Sequence, residues 1–330
     1  MNFNLNAMSG NVSDSNTGPK KVLILGSGPA GLSAALYAAR AELEPLVLTG
    51  MELGGQAATT NTIENYPGFP EGVGGAELGE LFQKQAEKFG AKVEFETATA
   101  VDLSSRPFKV STYDREFLAE TLIITTGASP NHLNIPGEKE LTGRGVSYCG
   151  TCDGWFFKDK KVVVVGGGDS ALEEALFLTR YASSVHIIHR RDELRACAIL
   201  QKRAFDHPKI SFTWDTVVEE ITGGDKVEAV QLKNVKTGQV SSYQTDGVFI
   251  FIGHTPNTQM FKGQLEMDQD DYIVVNMHME TNVPGVYAAG EVMDSHFRQV
   301  VTSAGMGAAA AIQATKYLED QEETQTTQAV

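Results

Sequence analysis

Cys149 and Cys152 stand two positions apart in the stretch SYCGTCDGWF, residues 147–156, with Asp153 directly after the second. Such a pair suits metal ligation, a structural cross-link, inert burial or cycling between disulfide and dithiol. Zinc held by cysteine commonly draws on two pairs of ligands, and the only other cysteine, Cys197, lies 45 residues on with no paired Cys or His at ligand spacing. No metal site is expected. A disulfide across two intervening residues closes a loop too short to stabilise much. Redox cycling is therefore the favoured reading, with inert buried thiols beside it. Asp153 is placed to exchange a proton with a leaving or attacking thiolate, or to do no more than cap a turn. Cys197, two residues after Arg195 on an expected helix, reads as filler.

A second chemistry lies in two glycine-rich turns. Gly26-x-Gly28-x-x-Gly31 follows the aliphatic run KKVLIL and opens a helix with Leu32, Ala35, Leu36 and Ala39 on one face. Glycines there allow a tight turn and close approach of the backbone to a pyrophosphate, whose charge a helix N-terminus favours. The pattern returns about 140 residues later from Lys160, in KKVVVVGGGDSALEEALFLTRYASSVHIIHRR, as Gly166-x-Gly168-x-x-Ala171. Two nucleotide sites are expected. Where an NAD site offers an acid to the ribose, about 20 residues past the glycines, this chain has His189, Arg190 and Arg191, with Arg195 nearby. Guanidinium groups pair with a 2′-phosphate that an acid would repel, so NADPH is expected rather than NADH.

The elements that position these residues read as alternating strand and helix, an α/β pattern with parallel sheet. EPLVLTG (44–50) supplies the strand after the first helix, and a loop rich in Thr, Asn, Gly and Pro covers 54–75. Leu78, Leu81, Phe82, Ala86 and Phe89 then repeat at helical spacing, followed by short strands around 92–96, 108–112 and 121–126. Gly127, Ser129 and Pro130 mark a break between domains. Val227–Leu232 and Val240–Tyr243 form a hairpin, GVFIFIGHTPNT and GVYAAGEV each hold a buried strand, and Thr302–Leu318 is a small-residue helix. The polar tail from Gln321 is expected to fray.

With 330 residues, two domains are expected, and a net charge of −15 repels nucleic acid and anionic membrane surfaces. The first 19 residues lack the pattern of a secretory signal, and nowhere do 18 consecutive apolar residues occur. Three cysteines suit a reducing compartment, so the cytoplasm is the expected location.

The motifs GSGPAG, TGMELGGQ, IENYPGFP, TTGASP, GVSYCGTCDGWFF, GGGDSALEEALFLT, HRRDELRA, FIGHTPNT, AAGEVMD and FRQVVTSAG together resemble the low-molecular-weight bacterial thioredoxin reductases, from about Lys20 to Leu318. The resemblance implies an α/β fold of two Rossmann-like domains. An NADPH domain, 131–253, carries the CxxC and is inserted in a discontinuous FAD domain, 20–130 with 254–320, flanked by polar tails 1–19 and 321–330. FAD would then be held by Gly26, Ser27, Gly28, Pro29 and Ala30, by Thr49, Gly50, Gly54, Gly55 and Gln56, by Asn65 and Gly127, and by Gly290, Glu291, Arg298, Gln299 and Val300. NADPH would be held by Gly168, Asp169, Ser170, His189, Arg190, Arg191 and Arg195.

The chemistry implied is hydride transfer from NADPH to the flavin, electron transfer from flavin to a Cys149–Cys152 disulfide with Asp153 protonating the departing thiolate, and reduction of thioredoxin through a mixed disulfide. The family also implies a homodimer, and a domain rotation with hinges near Gly127–Pro130 and His254–Asn257. Three residues depart from its habit or from related folds: Glu291 replaces the usual Asp beside the ribityl chain, Gly150 replaces the commoner Ala between the cysteines and should loosen that turn, and Thr49 stands where FAD folds outside the family use an acid. A same-fold flavin reductase with another acceptor is the alternative. The cysteine pair argues against the ferredoxin branch, and the 19 residues before Lys20 are too few for the N-terminal disulfide module of the peroxide-linked branch. A different thioredoxin-like partner stays open, as does a nucleotide-binding redox sensor without turnover. Neutralising Arg190 and Arg191 is expected to raise the KM for NADPH while sparing NADH; an unchanged coenzyme preference in steady-state assays overturns the assignment.

Overall fold

The computed structural model describes residues 18–60 and 62–328, so most of the N-terminal tail expected at 1–19 lies outside the described residues. Among them are six α-helices: α1 (Pro29–Arg40), α2 (Gly75–Lys88), α3 (Gly150–Asp153), α4 (Asp169–Leu178), α5 (Ala198–Phe205) and α6 (Val300–Gln328). The chain divides into two compact units. The first takes the chain up to Thr59, Gly74–Ala128 and the chain from Pro256; the second takes Thr60–Val73 and Ser129–Thr255.

In the first unit, Lys20–Leu25 buries its aliphatic residues completely, as a strand covered on both faces must. It lies between Leu46–Leu48 and Glu116–Ile124, parallel to both, and Lys92–Glu94 extends the sheet beyond Leu46–Leu48. The sequence reading places a short strand near 121–126; the strand observed is longer, Glu116–Ile124. Its first half alternates exposed and buried residues and takes an antiparallel partner, Phe108–Ser111, while its fully buried second half takes Val286–Ala288 in parallel. The late strand Val286–Ala288 thus completes a sheet begun at residue 20.

Against this sheet packs α1, which has Pro near its N-terminus and buries Ala30, Leu32, Ala34, Ala35, Ala38 and Ala39. Small residues let α6 approach closely through Ala310, Ala311 and Ala314, all buried in the same cluster. A Cβ added at Gly307 would lie 1.9 Å from the Ala30 carbonyl oxygen. Past Leu318, where the sequence reading ends the helix and expects fraying from Gln321, α6 continues to Gln328. Thr324 and Thr326 donate to the carbonyls of Asp320 and Glu322, four residues back, and Lys21 Nζ pairs with Glu322 at 2.9 Å.

The second unit repeats the theme. Lys161–Gly166 sits between Ser184–Ile188 and Gly247–Phe251, with Ile210–Thr213 and Val146–Ser147 at the two edges, all parallel. The helices α4 and α5 cover one face through Leu172, Ala175, Leu178 and Ala204. The other face meets an antiparallel layer of Thr216–Gly223, Val227–Asn234 and Val240–Gln244, the last two forming the expected hairpin. Where the chain passes between units, Ala128–Pro130 and His254–Pro256 pair with each other. Among the described residues no helix is long and apolar enough to cross a membrane.

Gly307→Val forces bulk into the seam between α1 and α6. It is expected to lower stability by about 3 kcal/mol or more, at the upper end of overpacking costs. Urea unfolding checks this, and a loss under about 1 kcal/mol contradicts the close approach.

Candidate redox and dinucleotide sites

The first glycine turn is shaped by two of its glycines and left open at the third. Gly26 has φ +108°, and a Cβ there would sit 2.3 Å from the Thr125 carbonyl oxygen; at Gly31 it would sit 2.0 Å from the oxygen of Gly26. Gly28 differs. Its backbone is ordinary, φ −65° and ψ −179°, and a Cβ on it would meet nothing within 4 Å. No packing inside the chain requires a glycine there, yet Gly28 is the N-cap of α1 and no side chain caps the helix. The first-turn N–H groups and the positive end of the helix dipole therefore face an open, side-chain-free surface, which fits a pyrophosphate.

The surrounding residues assemble this cradle. Ser27 is buried, and its hydroxyl donates to the carbonyls of Thr49 and Glu52 at 3.1 Å each. It ties the second loop down rather than presenting itself outward. Gly54 N–H donates to the Ser27 carbonyl at 3.1 Å, and a Cβ on Gly55 would lie 3.1 Å from Gly28 Cα. Gln56 follows in the 3-10 turn Gly55–Thr59. A Cβ on Gly290 would come 2.9 Å from Ala30 Cβ, so the Gly290–Glu291 loop abuts the same turn, and Val300 opens α6, which packs along α1. The Asp294 carboxylate accepts from the N–H groups of His296, Phe297 and Arg298 at 2.8–3.1 Å and shapes the approach to Gln299. Gly127, φ +68°, accepts from Asn257 N–H at 2.9 Å where the chain leaves this unit. Asn65 falls in the second unit.

The second turn follows the same rule. A Cβ at Gly166, φ +155°, would meet the Phe251 carbonyl oxygen at 2.4 Å, and one at Gly167 would run into the His189 ring at 2.3 Å. Gly168 again faces open space as the N-cap of α4, uncapped by any side chain. Beside it is a cavity of about 230 Å³ lined by Gly166, Gly167, His189, Arg190, Arg191 and Arg195, together with Asn131 and Thr216. His189 is buried and its Nε2 lies 3.0 Å from the Glu193 carbonyl oxygen; burial lowers its pKa, hydrogen bonds to the Glu193 and Gly166 backbone oppose the shift, and Arg190 and Arg191 add to it. Arg190, Arg191 and Arg195 are exposed, and Arg195 N–H donates to the Gly167 carbonyl at 2.8 Å, which fixes the basic loop to the glycine turn. Ser170 lies in the first turn of α4. Asp169 at its start accepts from Cys197 N–H at 2.7 Å. Cys197 is not filler inside a helix: it is exposed and stands at the N-cap of α5, because residues 190–197 form the arginine loop before that helix begins.

The two remaining cysteines form the disulfide Cys149–Cys152, with Cα atoms 5.3 Å apart. Cys149 is the N-cap of the short α3, and Cys152 N–H points at Cys149 Sγ, 3.2 Å away. Asp153 closes the same turn. Burial raises its pKa while the Ser147 hydroxyl opposes the shift. A carboxyl held protonated closer to neutrality is suited to give a proton to a leaving thiolate. Gly150, expected from the sequence to loosen this turn, is buried, and a Cβ on it would meet Glu174 and Phe251. No group of three or more metal-ligating side chains occurs among the described residues.

Two bare helix ends, a basic cleft and a CxxC disulfide in one chain have close parallels among known proteins. Residues 20–307 match the pyridine nucleotide-disulphide oxidoreductase family. The chain belongs to that family. It is 53% identical over 303 residues to the thioredoxin reductase of Rickettsia felis, covering 90% of this chain and 98% of the relative. A second relative, the thioredoxin reductase of Streptomyces coelicolor, is 49% identical over 302 residues, covering 91% and 94%. The crystal structure of thioredoxin reductase from Streptococcus pyogenes superposes with a TM-score of 0.87 at 45% identity, covering 91% of this chain and 98% of that one.

Within this pyridine nucleotide-disulphide oxidoreductase the sequence reading missed several supporting residues. Thr125, whose hydroxyl donates to the carbonyls of Leu25 and Gly26, is one; Ser147 beside the cysteines and Asn131 and Thr216 in the basic cleft are others. No spacing in the sequence marks them, because each meets its site only through a neighbouring strand or loop. Glu291 gains a property from its setting. Burial lifts its carboxyl from an ordinary 4.5 to about 7, with Arg298 opposing and Asp294 adding. Between those two values the folded protein binds more protons than the unfolded chain, so stability falls as pH rises. From pH 4.5 to 7.5 the native protein is expected to lose up to about 3 kcal/mol through this group, a loss absent from Glu291→Gln in urea unfolding. Equal pH dependence in both proteins contradicts it.

Proposed function

We propose that this chain is an NADPH-dependent, FAD-containing thioredoxin reductase, and the observation that carries the reading is the Cys149–Cys152 disulfide with Asp153 at its end. The bound flavin would supply a ring that takes a hydride and hands an electron pair to a disulfide. The chain's own part divides among its residues. The open N-terminus of α1 at Gly28, with the Thr49–Gln56 loop, would hold the FAD pyrophosphate and leave the rest of the cofactor to the Gly290–Val300 segment. The open N-terminus of α4 at Gly168 would hold the second dinucleotide, with Arg190, Arg191 and Arg195 taking its 2′-phosphate.

At the cysteine pair, two electrons break the Sγ–Sγ bond, and two protons are needed to leave both sulfurs as thiols. Asp153 would supply one of these to the departing sulfur. The dithiol then reduces the disulfide of thioredoxin: one thiolate attacks it, a mixed disulfide forms, and the second cysteine resolves it to regenerate Cys149–Cys152. Support for this partner comes from relatives named thioredoxin reductase that share about half of their residues over nine-tenths of the chain. A reducing compartment such as the cytoplasm belongs to the same proposal, supported by the three cysteines. So does a homodimer, which sedimentation would test.

NADPH oxidation that depends on oxidised thioredoxin is the expected activity, with Cys152→Ser reducing it at least a thousandfold while the protein still binds flavin. Turnover that survives the substitution points to another route for the electrons.

A further inference from the structure

The hairpin of Val227–Asn234 and Val240–Gln244 makes its turn beside the arginine loop, and that turn is ordered from within. Asn234 Oδ1 accepts from the N–H groups of Lys236 and Thr237 at 3.0 and 2.9 Å, and Gly238 N–H donates to the Asn234 carbonyl at 2.8 Å. Lys236 thus stands on a fixed backbone. Its Nζ lies 2.8 Å from Asp192 Oδ2 and 3.0 Å from Asp215 Oδ1, so one ammonium bridges two carboxylates from separate parts of the chain. The hydrogen bond to Lys236 lowers the Asp192 pKa, and the bonds to Asp192 and Asp215 raise that of Lys236.

Backbone bonds continue the bridge into the basic cleft. Asp215, at φ +50°, directs its N–H to the Arg191 carbonyl at 3.2 Å, and its own carbonyl accepts from Val235 N–H at 2.6 Å. Thr216, next in the chain, lines the cleft and donates its N–H to the His189 carbonyl at 3.0 Å. Arg190 and Arg191 line the same cleft, while Asp192 directly after them is outside the lining and pairs with the hairpin.

We propose that Lys236 is a positioning residue for the coenzyme's 2′-phosphate: by tying Asp192 to Asp215 it holds the loop that carries Arg190 and Arg191 in place before the coenzyme arrives. This rests on the reading of the cleft as an NADPH site. An arginine gives up rotamer freedom when it grips a phosphate, and a loop free to move adds its backbone entropy to that cost. A loop already held incurs only the first. Exposed ion pairs contribute little when isolated, but here the ammonium sits between two anions, one of them the half-buried Asp215, on a turn that is itself ordered. Charge acting through space would give a different pattern. Lys236 is a cation and Asp192 an anion, so their removal would then shift the affinity for a phosphate in opposite directions. As two halves of one clamp, removal of either loosens the same loop.

The test is calorimetric titration of the full-length, FAD-loaded protein at low ionic strength with adenosine 2′,5′-bisphosphate and with adenosine 5′-monophosphate, which lacks the 2′-phosphate. The parent is expected to bind the bisphosphate more tightly. In Lys236→Met and in Asp192→Ala alike, the Kd for the bisphosphate should rise about threefold to fivefold, with that for the monophosphate unchanged. The double variant should lose no more than either single one, and Lys236→Arg should stay near the parent. Opposite shifts in the two single variants, or no shift, overturn the proposal and leave the coenzyme reading standing. Should Lys236→Met not fold, unchanged or tighter binding of the bisphosphate by Asp192→Ala overturns it instead. A parent that does not favour the bisphosphate overturns the coenzyme reading and this proposal together.

Discussion

Backbone N–H groups in the first turn of a helix have no intrahelical acceptor and carry the positive end of the helix dipole. In α1 and α4 these groups are left uncapped by any side chain, behind a glycine whose missing Cβ no neighbour requires. The rest of the fold serves to hold the two helix ends in that state. Each parallel strand before the turn buries its aliphatic residues and delivers the chain to a glycine in strained or crowded backbone, Gly26 or Gly166. Each helix is held down on its sheet by small residues. A capping Ser or Asp at Gly28 or Gly168 would satisfy the helix and close the site.

The redox turn answers a different constraint. A disulfide between residues three apart needs its Cα atoms close, and α3 brings them to 5.3 Å by placing Cys149 at the N-cap and Cys152 one turn on. A carboxyl ends the same turn. Asp153 has its pKa raised by burial, opposed by the Ser147 hydroxyl.

Much of this was legible in the sequence because its signals are local. The strand–glycine–helix pattern fixes the geometry of its own turn, and the substitution of His189, Arg190 and Arg191 for an acid is a statement about charge that needs no coordinates. The CxxC spacing likewise limits what the cysteines can do. Less legible was any element whose character depends on a distant partner. Glu116–Ile124 begins five residues earlier than the expected strand because Phe108–Ser111 pairs with its alternating half. The helix α6 outlasts its small-residue stretch, with Lys21 and Glu322 meeting across 301 residues of chain.

The sequence by itself thus determined the two glycine turns, the basic loop after the second of them, the CxxC pair and the α/β class, since each is written in residues that are neighbours along the chain. Tertiary structure alone decided that Ser27 binds the loop beside it, that Cys197 stands at the N-cap position of a helix at the surface, and that burial lifts the Glu291 carboxyl to about 7. Those outcomes depend on burial and on contacts across the fold, and charge and hydrogen bonding take their strength from the surroundings rather than from residue type.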